Sequence, residues 1–216
     1  MENFFTTLKV MPIWVFASLL CNCASVNMTP SKDPAILAAA GEVDKILRAI
    51  SYSTSQASAY IINGQASSGV IKINGRFTGA IVNTRNQLII SSEWTTQFLH
   101  NENLTEAYTQ QDHYTVNLRG VYSITSPTIN NKDFSSLRTA EISSESEYLD
   151  TAYSIIINSD KVYRQIGSQA IFPVQGTMTL TPNKDAVGCI IQGDSLSQME
   201  QLKTALDKLV ETARRQ

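Results

Sequence analysis

Charged side chains are scarce in this chain of 216 residues. Only 17% of the residues are Asp, Glu, Lys or Arg, and the formal net charge is -2. A surface that binds nucleic acid usually carries an excess of Lys and Arg, so we expect no nucleic-acid partner. Ser, Thr, Asn and Gln replace the missing charges, a composition common in exported β-rich proteins. The hydrophobic fraction of 43% can build a core, which excludes a fully disordered chain.

Histidine and cysteine are too few for a metal site or a disulfide framework. The chain has two His and three Cys, and two of the Cys, Cys21 and Cys23, precede residue 25. Cys189 is then the one thiol left in the body of the chain, so we expect no internal disulfide, no metal and no other cofactor. It lies in the apolar stretch from Val187 to Ile191. The sequence therefore predicts a small buried side chain at Cys189 rather than a nucleophile.

Hydrophobic runs long enough to cross a bilayer are also missing from the N-terminal segment. The run from Val10 to Leu20 (VMPIWVFASLL) has eleven residues, whereas a spanning helix needs about 20. Pro12 would also interrupt such a helix. The length is typical of the hydrophobic region of a signal peptide. We therefore expect residues 1–24 to be a signal peptide and the protein to be exported: periplasmic or anchored to the outer membrane if bacterial, otherwise secreted.

The sequence leaves two ways of processing this leader open. Leu20-Cys21-Asn22-Cys23 has the outline of a bacterial lipobox, with Leu three residues before a Cys. Lipidation of Cys23 would tether the protein to a membrane, although Asn22 departs from the small residue expected before the acylated Cys. Cleavage after Ala24 by an ordinary signal peptidase would instead release a soluble protein.

A helix is predicted at each end of the mature chain. Residues 25–58 comprise a polar linker and a helix, with Asp33 as its N-cap, Pro34 at its first position and an apolar stripe that ends near Ile50. Residues 194–216 form the C-terminal helix, where Ser197 and Glu200 have the spacing of a capping box. Its apolar stripe is expected to cover one end or side of the β domain, and a partner-binding coiled-coil segment is the alternative.

Residues 59–193 are predicted to form a β domain of short antiparallel strands. Asn74-Gly75 is a strong hairpin dipeptide, and residues 83–86 (Asn-Thr-Arg-Asn) have the composition of a second turn. Strands are expected at Val70 to Ile73, Arg76 to Val82, Leu88 to Ile90, Tyr114 to Ile124, Leu137 to Ile142, Tyr153 to Ile157, Val162 to Ile166, Ile171 to Leu180 and Ala186 to Ile191. This spacing favours an antiparallel barrel or sandwich, flanked by the two amphipathic helices.

Part of this β region resembles the first barrel of trypsin-like (chymotrypsin-fold) serine peptidases. Phe77, Gly79 to Val82 and Leu88 to Ile90 follow the order and spacing of the strands that precede the catalytic His in that family. Leu149 to Ile157 is similar to the family's Asp-containing strand. Together these segments cover roughly residues 65–160, and the resemblance implies a single chymotrypsin-like barrel.

The residues of a catalytic triad are only partly present. A Ser-His-Asp triad needs an imidazole to accept the proton of the nucleophile, but Trp94 stands where the family has its His. Asp150 matches the orienting carboxylate, and Gly193-Asp194-Ser195 is similar to the nucleophile loop. In an alternative interpretation Asp150 and Ser195 are functional and His100 or His113 supplies the base. Otherwise Ser195 belongs to the first turn of the C-terminal helix.

These observations predict a non-catalytic protein of the cell envelope or the extracellular space. We expect a protein-binding or assembly module, with a protein partner and a possible lipid anchor, built on a degenerate trypsin-like barrel. The alternative is a divergent trypsin-like serine peptidase. Paired carboxylates could be drawn from Glu141, Glu145, Glu147 and Asp150, but this polar, Ser-rich run is predicted to be a solvated loop.

Overall fold

The computed structural model describes residues 28–62, 65–131 and 151–216. The helices are α1 (Pro34–Ala49) and α2 (Leu196–Arg214). The strands are β1 (Ser51–Ile62), β2 (Gln65–Val82), β3 (Gln87–His100), β4 (Asn103–Asn117), β5 (Val121–Ile124), β6 (Thr128–Asn131), β7 (Thr151–Ser159), β8 (Val162–Phe172), β9 (Thr179–Leu180), β10 (Lys184–Asp185) and β11 (Cys189–Gly193). The fold is therefore mainly β, with two helices.

The strands form two antiparallel sheets. The large sheet has the order β1-β2-β3-β4-β8-β10, with β9 also paired to β8. The small sheet has the order β11-β7-β5, with β6 also paired to β7. Within the three described ranges neither order returns to its first strand, so these strands form two open sheets and not the closed barrel that the sequence suggested.

The long strands of the large sheet have two halves that differ in their packing. The proximal half consists of residues 77–82, 87–92, 112–117 and 162–166, which are paired across β2, β3, β4 and β8. The distal half consists of β1 and the remainder of these four strands. The register of β2 against β3 shifts between Phe77 and Gly79, where the two halves meet. Such a bulge bends the strand and increases its twist.

The proximal half belongs to the main hydrophobic core. It contributes side chains such as Leu88 and Val116, which are fully buried, and the small sheet contributes Ile155 and Ile191 to the same cluster. The helices complete it with their apolar stripes: Ile36, Ala39, Ala40, Val43 and Leu47 of α1, and Met199, Leu202, Ala205, Leu206, Leu209, Val210 and Ala213 of α2. Both stripes are therefore buried in the same core as the two sheets.

The two helices are capped much as their sequences predict. The side chain of Asp33 accepts hydrogen bonds from the backbone N–H groups of Ala35 and Ile36 at 2.8 and 3.0 Å, which confirms the N-cap of α1. The predicted capping box at Ser197 is wrong because α2 begins two residues earlier, with Ser195 as its N-cap. The helices contact each other along their length, and Lys208 Nζ of α2 lies 2.8 Å from Glu42 Oε2 of α1.

The predicted turn at Asn74-Gly75 is wrong, and the reason is steric. Both residues lie inside β2, where Gly75 is flanked by Tyr52 of β1 and Trp94 of β3. A Cβ atom on Gly75 would lie 2.1 Å from Cε3 of Trp94, so the glycine makes room for the indole ring. The Trp94 ring then packs edge-on against Tyr52, with 5.1 Å between ring centroids.

Other strand boundaries also differ from the sequence prediction: one strand begins earlier than expected, and one expected strand is largely a loop. The Ser-rich segment from Ser51, expected to end the helical region, is strand β1, so β structure begins before residue 59. The expected strand from Ile171 to Leu180 is largely a loop, because β8 ends at Phe172 and β9 holds two residues. The turn at residues 83–86 is confirmed, with Asn86 at φ 57°. The expected strand at Leu137 to Ile142 lies outside the described residues.

Candidate functional site

Ser195, the predicted alternative nucleophile, has a structural role at the start of α2. Its Oγ accepts a hydrogen bond from the backbone N–H of Gln198 at 3.4 Å. The amide Nε2 of Gln198 donates in turn to the carbonyl oxygen of Ala49, the last residue of α1, at 3.2 Å. Ser195 therefore contributes to the junction of the two helices, and the helix-turn interpretation of this residue is confirmed.

The other predicted site residues are not brought together with Ser195 in the described part of the chain. Asp150, Cys23 and the three glutamates of the predicted loop lie outside the described residues. His100 is the exposed last residue of β3. His113 lies in the middle of β4, and its Nδ1 is 2.9 Å from the Oγ of Ser91 on β3.

The Ser91–His113 contact has the atoms of a nucleophile and a base, but it is a cross-strand pair on the large sheet. Burial lowers the pKa of His113, and the negative charge of Asp112 partly opposes this shift. The imidazole is therefore mainly neutral at pH 7. A triad also needs a carboxylate bonded to the second ring nitrogen, and no such bond to His113 is among the described contacts.

A buried ion pair lies where the proximal and distal halves meet. Asp112 Oδ2 of β4 accepts a hydrogen bond from Arg164 Nη2 of β8 at 2.7 Å. The Asp112 side chain is 6% exposed and that of Arg164 is 25% exposed, so solvent screens this pair only weakly. Gln110 Nε2 makes a longer contact with the same carboxylate oxygen at 3.5 Å. Asp112 Oδ1 and Arg164 Nε are buried with no hydrogen-bond partner in the described structure.

Burial and neighbouring charges shift the pKa values of several groups at this ion pair. Burial tends to lower the pKa of Arg164, but the hydrogen bond and charge of Asp112 outweigh it and raise the pKa. The guanidinium lies 5.3 Å from the centroid of the Tyr114 ring, and burial raises the pKa of the Tyr114 phenol. Burial also raises the pKa of Cys189, which is fully buried. Cys189 is thus a neutral thiol, and the predicted small buried residue is confirmed.

The same face of β4 carries a second polar contact farther along the distal half. Tyr108 Oη donates to Glu106 Oε2 at 2.5 Å. Burial, the hydrogen bond and the negative charge of Glu106 raise the pKa of Tyr108 to about 12. Alternate residues of a strand share one face, so β4 directs a polar row into the interior: Glu106, Tyr108, Gln110, Asp112 and Tyr114. Glu106, Tyr108 and Gln110 of this row therefore place polar groups on the inner face of the distal half.

In the part of the chain that the structure describes, no helix is both long and apolar enough to cross a membrane. No group of three His, Cys, Asp or Glu side chains in residues 28–62, 65–131 and 151–216 is placed to bind a metal ion.

The edges of the large sheet remain as the candidate interaction surface, and most of them are protected. Residues 77–82 of β2 extend past the first residue of β1. The side of these residues that β1 does not pair with is covered by the segment before α1 and by α1 itself. The backbone N–H of Ser31 donates to the carbonyl oxygen of Val82 at 2.8 Å, and Asp44 Oδ1 accepts from the N–H of Ala80 at 2.7 Å. The opposite edge consists of the two-residue strands β9 and β10, and β10 carries Lys184 and Asp185. Short, charged edge strands resist pairing with another chain.

The edge strand β1 lacks this protection. Its sequence, SYSTSQASAYII, contains no charge, no proline and no glycine. It pairs with β2 at twelve consecutive positions without a bulge, and no strand in the described structure pairs with its other side. The beginning of β1 is covered, because Asp194 Oδ2 accepts from the N–H of Ser53 at 3.0 Å and the N–H of Asp194 donates to Ser51 O at 3.3 Å.

Sequence reasoning missed both the ion pair and this edge. Asp112 and Arg164 are 52 residues apart in the chain, and nothing local indicates that they meet. For β1 a signal was available: twelve residues without charge, Pro or Gly can form a strand even when they do not alternate between polar and apolar residues.

No protein-family model matches this chain, and no curated protein and no solved structure is significantly similar to it. The resemblance to trypsin-like peptidases therefore stays a prediction from the sequence.

Proposed function

We propose that this chain is an exported protein that works without catalysis, as a protein-binding or assembly module of the cell envelope or the extracellular space. The observation that carries the proposal is the position of β1 at the edge of the large sheet, where no strand of the described residues pairs with its outer side. An uncharged edge of this length offers backbone N–H and C=O groups to an added strand, and strand addition is a general mode of protein recognition.

The described chemistry supports a binding role over a catalytic one. Ser195 caps α2, Cys189 is a buried neutral thiol, and the buried acids Glu106 and Asp112 are engaged by neighbouring side chains. These groups are stabilising contacts between elements, and none lies beside both a nucleophile and an oriented base.

The finer architecture belongs to the same proposal. Because both sheets contribute to one core, we propose a sandwich-like domain that derives from, or imitates, the first barrel of a trypsin-like peptidase. The hairpin of β2 and β3, which holds Phe77 to Val82 and Leu88 to Ile90, is the segment that supports this relation. The domain would have lost the position of the catalytic His, which is Trp94 here.

Export is tested by the intact mass of the mature protein purified from its native host. A chain that begins at Cys23 with added lipid, and loses the lipid in a Cys23→Ser variant, establishes a membrane-tethered lipoprotein. A chain that begins near Ser25 without lipid establishes a soluble secreted protein. Recovery of the uncleaved chain would contradict the export part of the proposal.

The absence of catalysis is tested with a fluorophosphonate probe on the intact protein. We expect no labelling of Ser195, because its Oγ is engaged at the helix N-terminus. A Ser195→Ala variant should lose about 1 kcal/mol of unfolding free energy, the usual loss for an N-cap, whereas Ser195→Asp should keep most of it. Stoichiometric labelling that disappears in Ser195→Ala would overturn the non-catalytic assignment and favour the peptidase alternative.

A further inference from the structure

We propose that the partner of the β1 edge is a second copy of this chain, and that two β1 strands pair antiparallel about a twofold axis at Ala59. This inference rests on the proposed binding function and names its partner. The pairing would join two large sheets into one continuous sheet across the dimer.

The backbone of β1 is oriented for such pairing. In an antiparallel ladder both backbone groups of a residue point to the same side, and the side alternates along the strand. The N–H of Ser53 points away from β2, because it donates to Asp194. Since β1 has no bulge, the N–H and C=O groups of Ala57, Ala59 and Ile61 point away from β2 as well.

The register follows from which outward groups are already used. Asp194 occupies the backbone of β1 at Ser51 and Ser53, so a partner strand is confined to the later part of β1. An antiparallel copy centred on Ala59 places Ala59 opposite its own copy and Ala57 opposite Ile61. Each of these facing pairs can exchange two backbone hydrogen bonds.

The composition of β1 favours self-pairing over a partner recognised by charge. Two copies of a charged edge would bring like charges together, whereas the twelve residues of β1 carry no charge at all. The other edge of the same sheet shows the contrast, since it is short and carries Lys184 and Asp185. A twofold arrangement also needs only one surface, which is the commonest way in which soluble proteins form oligomers.

The first experiment compares Ala59→Pro with Ala59→Ser in the full chain. Proline removes an N–H that points away from β2 and is tolerated at such an edge position, whereas serine keeps the N–H. We expect light scattering to give the mass of two chains for the wild type and for Ala59→Ser, and the mass of one chain for Ala59→Pro. The circular dichroism spectrum and the melting temperature of the monomer should show that Ala59→Pro is folded.

The second experiment tests the register by disulfide formation, in a background with Cys21 and Cys23 replaced by Ser. Facing residues of a hydrogen-bonded pair have Cα atoms about 5.5 Å apart, which suits a disulfide. Ala59→Cys should therefore cross-link two chains under mild oxidation, and Ile61→Cys should not, since Ile61 faces Ala57 of the other copy.

Each outcome decides the inference separately from the proposed function. A wild-type protein that is monomeric at high concentration, or a dimer that Ala59→Pro leaves intact, overturns the second copy as the occupant of β1. If such a monomer still binds another envelope protein, and Ala59→Pro abolishes that binding, the module function stands with a different partner.

Discussion

The two halves of the large sheet are continuous in backbone but different in packing. The proximal half shares one large apolar cluster with the small sheet and both helices. The described buried side chains of the distal half form a much smaller cluster, in which Tyr52, Ile71, Ile73 and Phe98 pack with Ala152 of the small sheet. The inner face of the distal half also carries buried polar groups such as Thr96, Glu106 and Gln110.

This difference concentrates the apolar contacts in one half of the same strands. Burial of apolar area is the main favourable term in folding, so the proximal half and its helices supply most of the free energy that holds the chain. The distal half is an extension of that base, held by backbone pairing and by specific polar and aromatic contacts. It carries β1, the outermost strand of the large sheet in the described part of the chain.

The ion pair of Asp112 and Arg164, in the part of the proximal half that adjoins the distal half, should give the largest loss of stability. Arg164→Met would leave the Asp112 carboxylate buried without its cation, which should cost about 3–5 kcal/mol of unfolding free energy. Urea unfolding of the variant measures this loss. The double variant Asp112→Leu with Arg164→Met should recover most of the lost stability, because it removes the uncompensated charge. Equal losses in the single and the double variant would contradict this account.

A matched pair of core truncations compares the two clusters directly. Leu206 of α2 and Ile71 of β2 are both fully buried, and each would lose its branched side chain in a change to Ala. Such changes typically cost about 2–5 kcal/mol. We expect Leu206→Ala to fall near the upper end and Ile71→Ala near the lower end, because the larger cluster can relax less around a cavity. Equal losses would mean that the distal cluster is as rigid as the main core.

The helices and the main core could be predicted from the sequence because their signals are local. Asp33 and Pro34 mark the start of α1 within two residues, and Cys189 lies in an obviously apolar stretch. The turn at residues 83–86 has the composition that a turn requires. In each case neighbouring residues decide the structure.

The distal half could not be predicted in this way because distant residues decide it. Asn74-Gly75 has the composition of a hairpin turn, but the Trp94 ring needs the space beside Gly75 in a continuous strand. The polar row of β4 would ordinarily indicate a solvated face, yet it lies in the interior with Arg164 of β8 as one partner. The Ser-rich start of β1 resembles a linker until β2 pairs with it.

The smallest expected effect concerns His113, on β4 at the proximal half. Because burial lowers the pKa of His113 in the folded protein, the unfolded chain binds this proton more readily than the folded one. Stability is therefore complete above the ordinary His pKa of about 6.5 and falls as the pH drops below it. His113→Gln removes the titrating group and keeps a polar side chain opposite Ser91. The wild type should lose more unfolding free energy than the variant between about pH 7.5 and pH 5.5, the range in which an ordinary His titrates. Parallel pH profiles for the two proteins would show that the partly buried imidazole accepts its proton without cost, and that this face of the proximal half opens to water.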